Sequence, residues 1–165
     1  MANRIDIKLS ALRASGQKAL ALYLTVGFHT LEASISVAKA AVEAGADLVE
    51  LGVPFSDPLA DGPTIQRSSF QALKQGVTLT TCLEALRRLR REVPDTPLVF
   101  MGYYNPFFRY GLDAFAAEAA DAGLDGLIVP DLPEEEVAPL RAVCAPRSVY
   151  IIPLLAPTST EERIA

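Results

Sequence analysis

Apolar residues along the chain fall into short runs, separated by longer stretches in which they recur every three or four positions. Ile5, Leu9 and Leu12 are spaced to share one face of a helix over about 5–15, ended near Gly16. Ala19 to Thr25 reads as a first strand closed by Gly27, and the Ala- and Val-rich stretch at about 31–44 as a helix with Gly45 placed to cap it. Residues 47–52 form a second strand. Pro63 to Lys74 has a helical pattern with proline suited to the first turn, and Thr80 to Val93 makes the next helix. Leu98 to Gly102 is a third strand, followed by an aromatic loop over 103–108 and a helix over about 112–122. Gly126 to Pro130 is a fourth strand, about 134–144 a helix, and Val149 to Leu154 a fifth strand. A last helix is expected to open with a capping box from Ser159 to Glu162.

Strands therefore start near 19, 47, 97, 125 and 149, and only the interval holding residues 53–78 is out of step. Ala44-Gly45-Ala46-Asp47 recurs as Ala122-Gly123-Leu124-Asp125, each time between a helix end and a strand, so a βα unit is repeated. Strict βα alternation calls for parallel strands joined by right-handed crossovers. An open doubly wound sheet and a closed (β/α)₈ barrel both satisfy this. No glycine-rich phosphate fingerprint follows the first strand, which counts against a dinucleotide-binding sheet. The expectation is an α/β fold of the (β/α)₈ TIM-barrel type. A complete barrel takes about 250 residues, so residues 1–165 are expected to be a single partial domain of about five βα units.

Half of the 165 residues are apolar and the mean hydropathy is +0.25, which suits strands covered on both faces. Charged or turn residues interrupt every apolar run before the ~18 residues a membrane span needs, and the N-terminus lacks the apolar segment of a secretory leader. A cytoplasmic location is the expectation. The net charge of −5 offers nothing to nucleic acid or an anionic membrane. The basic run Arg87-Arg88-Leu89-Arg90-Arg91 lies in a helical pattern and reads as a solvated face. Cys82 and Cys144 lack metal-like spacing and read as buried thiols, and His29, the one histidine, falls in a turn. No metal site is expected.

Chemistry concentrates in Asp47 to Gln66, where a buried strand runs into a proline-stiffened loop. Alternation puts Leu48 and Glu50 on one face of the strand and Val49 and Leu51 on the other. Glu50 is then either paired with a cation or turned to a solvated strand end, or it is an interior carboxyl kept for proton transfer. Asp57 and Asp61, before a proline and a glycine, are good turn residues taken singly. Pro54, Pro58 and Pro63, however, restrict φ at three places in this loop and so pre-organise the backbone that carries them. Lys8, Lys18, Lys39 and Lys74 all fall outside the strands, so no Schiff-base mechanism suggests itself.

The run from Glu50 to Gln66 (ELGVPFSDPLADGPTIQ) closely resembles the signature of the tryptophan synthase alpha subunit family. Further agreement lies at Tyr23-Leu24-Thr25, at Met101-Gly102-Tyr103-Tyr104-Asn105-Pro106 and at Val129-Pro130-Asp131-Leu132-Pro133. The resemblance implies a (β/α)₈ barrel that cleaves indole-3-glycerol phosphate to indole and glyceraldehyde 3-phosphate in tryptophan biosynthesis. It implies no cofactor of its own, and an alpha2-beta2 complex with a beta subunit that carries pyridoxal phosphate. By the same resemblance Glu50 is the catalytic acid/base and Asp61 its partner carboxylate. Tyr23, Phe100 or Met101, and Val129 are candidates to line an indole slot. Asp57, Asn105, Phe108, Asp131 and Pro133 fall on the face expected to meet the beta subunit. Gly27-Phe28-His29 stands where many relatives have Gly-Asp-Pro. The family's mobile lid and glycine-rich phosphate site have no counterpart in these residues. The chain alone is therefore expected neither to fold stably nor to turn over substrate, with Ala19–Thr25 and Val149–Leu154 as open apolar edges. Two other roles fit the same residues: a stand-alone lyase releasing free indole, and a non-catalytic module that activates a partner.

Overall fold

The computed structural model describes residues 3–164, with the side chains of 162 and 163 left aside. Five parallel strands form one sheet in the order of the chain: β1 (Ala21–Thr25), β2 (Leu48–Gly52), β3 (Leu98–Met101), β4 (Gly126–Ile128) and β5 (Tyr150–Ile151). Helices separate them: α1 (Arg4–Ala14), α2 (Leu31–Glu43), α3 (Pro63–Lys74), α4 (Leu79–Glu92), α5 (Tyr104–Tyr110), α6 (Leu112–Ala122), α7 (Ala138–Cys144) and α8 (Glu161–Ile164). Consecutive parallel strands with a helical crossover between each pair are the arrangement of a (β/α)₈ barrel wall, here with five strands. β1 and β5 are its two edges.

The pleat sorts side chains into two layers. Val49, Leu51, Leu98, Phe100 and Leu127 point outward into one large core with Ala38, Cys82, Leu83, Leu86, Leu89, Phe115, Ala119 and Leu140 of the covering helices. The inner face holds a smaller cluster of Val99 and Ile128 with Leu48, Met101 and Ile152. Ile5 of α1 inserts into that inner cluster, whereas Leu9, expected beside it, is exposed. One inward-pointing residue suffices because α1 lies across the starts of the strands. Asn3 ties it there, donating to the Asp125 and Ser148 carbonyls at 2.8 Å each while accepting the Ile5 amide at 2.8 Å.

The repeated Gly-x-Asp segment does one job twice. Gly45 and Gly123 leave their helices at positive φ, 108° and 88°. Two residues on, Asp47 accepts the Leu20 amide at 3.0 Å and Asp125 the Leu98 amide at 2.9 Å. Each aspartate thus fixes the start of the preceding strand against its own. Asp125 also receives Arg90 at 2.6 Å and Arg4 at 3.0 Å, and Arg90 donates further to the Gly123, Val93, Pro94 and Thr96 carbonyls. Of the basic run, Arg90 is therefore turned inward rather than solvated.

Four expected elements come out differently. The aromatic loop at 103–108 is α5, because Pro106 sits in a first turn that needs no amide from it. The helix expected over about 134–144 is a three-residue turn, Glu134–Glu136, followed by α7, since Pro139 cannot donate within a continuous helix. β4 and β5 are shorter than expected, and Pro130, lacking an amide hydrogen, cannot extend the ladder. At the last helix the Ser159 hydroxyl accepts the Ala156 amide, and the Glu162 side chain of the expected capping box lies outside the described residues.

Candidate active site

Glu50 stands in the middle of β2 on the inner face, between Tyr23 of β1 and Val99 of β3. It is half-buried, and burial pushes its carboxyl above the ordinary value. Asp61 comes from the loop between β2 and α3, and burial raises its carboxyl too, with the Tyr103 hydroxyl pulling it partly back. The Tyr23 phenol feels both acids: burial raises its pKa most, and the Asp61 and Glu50 charges add to that. Glu50 thus stands beside Tyr23 on the inner face, and the charge of Asp61, from the loop that follows β2, reaches the same phenol. In parallel α/β barrels the loops that follow the strands mark the end where the reacting groups gather.

Tyr23 is held in place by what surrounds it. Its hydroxyl lies where a Cβ on residue 52 would stand, so only glycine fits at the end of β2. The Thr25 hydroxyl is 3.4 Å from the Tyr23 oxygen and 2.7 Å from that of Ser68, and Ser68 donates to the Ile65 carbonyl at 2.9 Å. With the serine proton spent on Ile65, Thr25 must donate to Ser68 and Tyr23 to Thr25. The phenol proton is thus committed to Thr25.

Tyr103, which sequence reasoning did not single out, completes the group. It follows β3, is only 4% exposed, stacks on Phe55 with centroids 5.3 Å apart, and accepts the Ala60 amide at 2.9 Å. Its hydroxyl also counters the effect of burial on Asp61, drawing that carboxyl back down. A tyrosine in an aromatic run gives no local sign of this, because its partner lies some forty residues away.

The other expected slot residues separate by parity. Met101 faces inward with Tyr23 and Glu50. Phe100 is 0% exposed in the outer core, and Val129 packs into the same outer cluster, so neither lines the concave face. Each is one residue out of register with the inner face, and a single step along a strand reverses a side chain. Of the rim residues, Asp57, Asn105, Phe108, Asp131 and Pro133 are all exposed. Phe108 is 60% exposed and Leu59, which was not singled out, 85%. Asp57 receives the Ser56 hydroxyl, and Asp131 accepts the Tyr104 amide at 2.9 and 3.2 Å. Among the described residues no group of His, Cys, Asp and Glu is arranged to hold a metal ion, and no helix is long and apolar enough to cross a membrane.

The chain is similar to a well-populated group of proteins. Residues 9–165 match the family model described as tryptophan synthase alpha chain. The tryptophan synthase alpha chain of Roseiflexus sp. (strain RS-1) is 49% identical over 162 residues, covering 98% of this chain and 62% of that protein. That of Xanthomonas oryzae pv. oryzae (strain PXO99A) is 50% identical over 161 residues, covering 98% and 60%. The crystal structure of tryptophan synthase subunit alpha from Legionella pneumophila str. Paris superposes with a TM-score of 0.97 at 41% identity, covering 99% of this chain and 63% of that one. The chain spans about three fifths of the length of these relatives. A match along nearly the whole sequence, joined to the same barrel wall in the same order, places this chain in the tryptophan synthase alpha chain family.

Proposed function

We propose that the protein is the carbon–carbon lyase of tryptophan biosynthesis that cleaves indole-3-glycerol phosphate to indole and glyceraldehyde 3-phosphate. The observation that carries this reading is Glu50 on the inner face beside Tyr23, with Asp61 on the loop that the Tyr103 hydroxyl holds through the Ala60 amide, each carboxyl raised by burial. In this retro-aldol step the bond between ring C3 and the adjacent carbinol carbon breaks. C3 must first take a proton, which leaves positive charge on the ring nitrogen. The carbinol hydroxyl then loses its proton, the C–C bonding pair returns to the ring, and an aldehyde leaves. Glu50, whose protonated form is favoured by its half-buried place, suits proton delivery and recovery. Asp61, supported by the Tyr103 hydroxyl, suits an ionised acceptor for the indole N–H. Met101 and the Tyr23 ring are the inner-face groups suited to the flat apolar ring.

The chemistry needs no cofactor held by this chain. The exposed rim of Asp57, Leu59, Asn105, Phe108, Asp131 and Pro133 is the proposed docking face for a beta subunit, which carries pyridoxal phosphate and consumes the indole in an alpha2-beta2 assembly. A cytoplasmic setting follows from that role. Residues 1–165 are read as one partial barrel domain, dependent on further βα units for closure and turnover.

Glu50→Gln is the test, made in the complete protein as the cell produces it. Lyase turnover is expected to fall by about 10²–10⁴, the usual worth of a general acid/base, while beta-subunit binding persists. Turnover within a few fold of the parent would overturn the assignment.

A further inference from the structure

We propose that Tyr103 is a positioning residue for the acidic pair, its hydroxyl holding the loop that carries Asp61, and that Asp131 sets the place of Tyr103 from the rim. The proposal rests on the reading of Glu50 and Asp61 as the proton-handling groups.

Three prolines restrict how the loop between β2 and α3 can bend, but they do not attach it to the barrel wall. Tyr103 does so at both ends of the loop. Its ring stacks on Phe55 near the exit from β2, and its oxygen receives the Ala60 amide just before Asp61. The same hydroxyl favours the ionised form of Asp61, the next residue along. Gly102 permits this close approach, because a Cβ there would come within 2.9 Å of Val53 and 3.0 Å of Phe107.

What fixes Tyr103 is the start of α5. Tyr103 is the N-cap residue of that helix, yet its side chain makes no cap. Asp131, from the loop after β4, supplies both carboxylate oxygens to the Tyr104 amide instead. A continuous line of contacts therefore runs from an exposed carboxylate at the rim, through the Tyr104 amide and the buried Tyr103 phenol, to the Ala60 amide next to Asp61. From neighbouring elements, Tyr103 acts on the Asp61 carboxyl against burial, while Tyr23 of β1 lies in reach of the Asp61 charge and beside Glu50 of β2. Tyr103 is the one that favours the ionised form.

Hydrogen exchange of the Ala60 amide and the pH profile of kcat/KM for indole-3-glycerol phosphate test this in the complete protein without partner, for Tyr103→Phe, Asp131→Ala and Asp131→Asn beside Glu50→Gln. In Tyr103→Phe the Ala60 amide is expected to exchange at least about tenfold faster, and the acid limb of the profile to move to higher pH, with kcat reduced more than KM is raised. Asp131→Ala is expected to shift both in the same direction by less, and Asp131→Asn, which can still accept the Tyr104 amide, to restore them. An unchanged Ala60 amide or an unmoved acid limb in Tyr103→Phe, with Glu50→Gln inactive, overturns the positioning role and leaves the lyase reading standing. An active Glu50→Gln removes the reading on which the role rests.

Discussion

The Tyr23 hydroxyl occupies the space that a side chain on Gly52 would fill, so the last residue of one strand sets where the phenol of its neighbour can stand. The register pairs Tyr23 with Glu50 and Thr25 with Gly52, which leaves the ring leaning along its strand over the glycine. Gly52 is thus a packing requirement of the site, since its φ does not demand glycine.

Gly52→Ala is accordingly expected to cost about 1–3 kcal/mol, the range for inserting a methyl group into a packed place. In a Tyr23→Ala background most of that cost should vanish. Urea unfolding of the four combinations measures the coupling, and equal penalties in both backgrounds would show that the ring is not what the methyl group meets.

Glu50 should trade stability for chemistry. Its carboxyl is raised in the folded state, so its favourable contribution is complete below the ordinary value of 4.5 and is lost as pH rises through the raised folded value. At neutral pH the ionised form is therefore disfavoured by its surroundings, and Glu50→Gln is expected to melt higher than the parent at pH 7. The two melting temperatures should draw together below pH 4.5. A variant that melts lower than the parent at pH 7 would mean that Glu50 has a stabilising partner.

Asp125 joins two arginines at the base of the sheet, with its side chain 3% exposed. Asp125→Ala leaves Arg90 buried against carbonyls with its counter-charge gone, for an expected loss of about 3–5 kcal/mol by denaturant unfolding. Breaking the solvent-exposed Lys39–Glu92 pair with Lys39→Ala should be barely measurable by the same method. A small effect at Asp125 would show that water replaces the lost carboxylate.

Phe108, on the outward face of α5 and tilted against Tyr104, is the large exposed ring of the proposed docking face. Phe108→Ala should weaken beta-subunit binding at least about tenfold by titration calorimetry, with the melting temperature of the free protein unchanged. Unaltered affinity would move the interface elsewhere.

Much of the fold was legible in the chain because its signals are local. The alternation of strands with helices, the glycines after α1, α2 and α6 and the Gly-x-Asp repeat are read from neighbours in sequence, and α3 and α6 fall at their expected places. The candidate pair Glu50 and Asp61 was legible for the same reason, since one polar residue inside a strand and a stiffened acidic loop need no knowledge of what lies opposite. Phe100 and Met101 could not be told apart, because which face of a strand turns inward depends on the helices that cover the other. Tyr103 and α5 were not legible at all, as the contacts that define them come from Ala60 and Asp131.

By itself, then, the sequence determined the kind of units, their order and the family to which they belong, for these follow from short-range periodicity and an unbroken motif. Only the tertiary structure decided which side chains share the inner face, that Arg90 turns in to a buried aspartate, and that a tyrosine and a glycine from separate strands shape the acidic site. The reason is that hydrogen bonds and steric exclusion act over a few ångströms in space, whatever the distance along the chain, and only folding brings such partners within that reach.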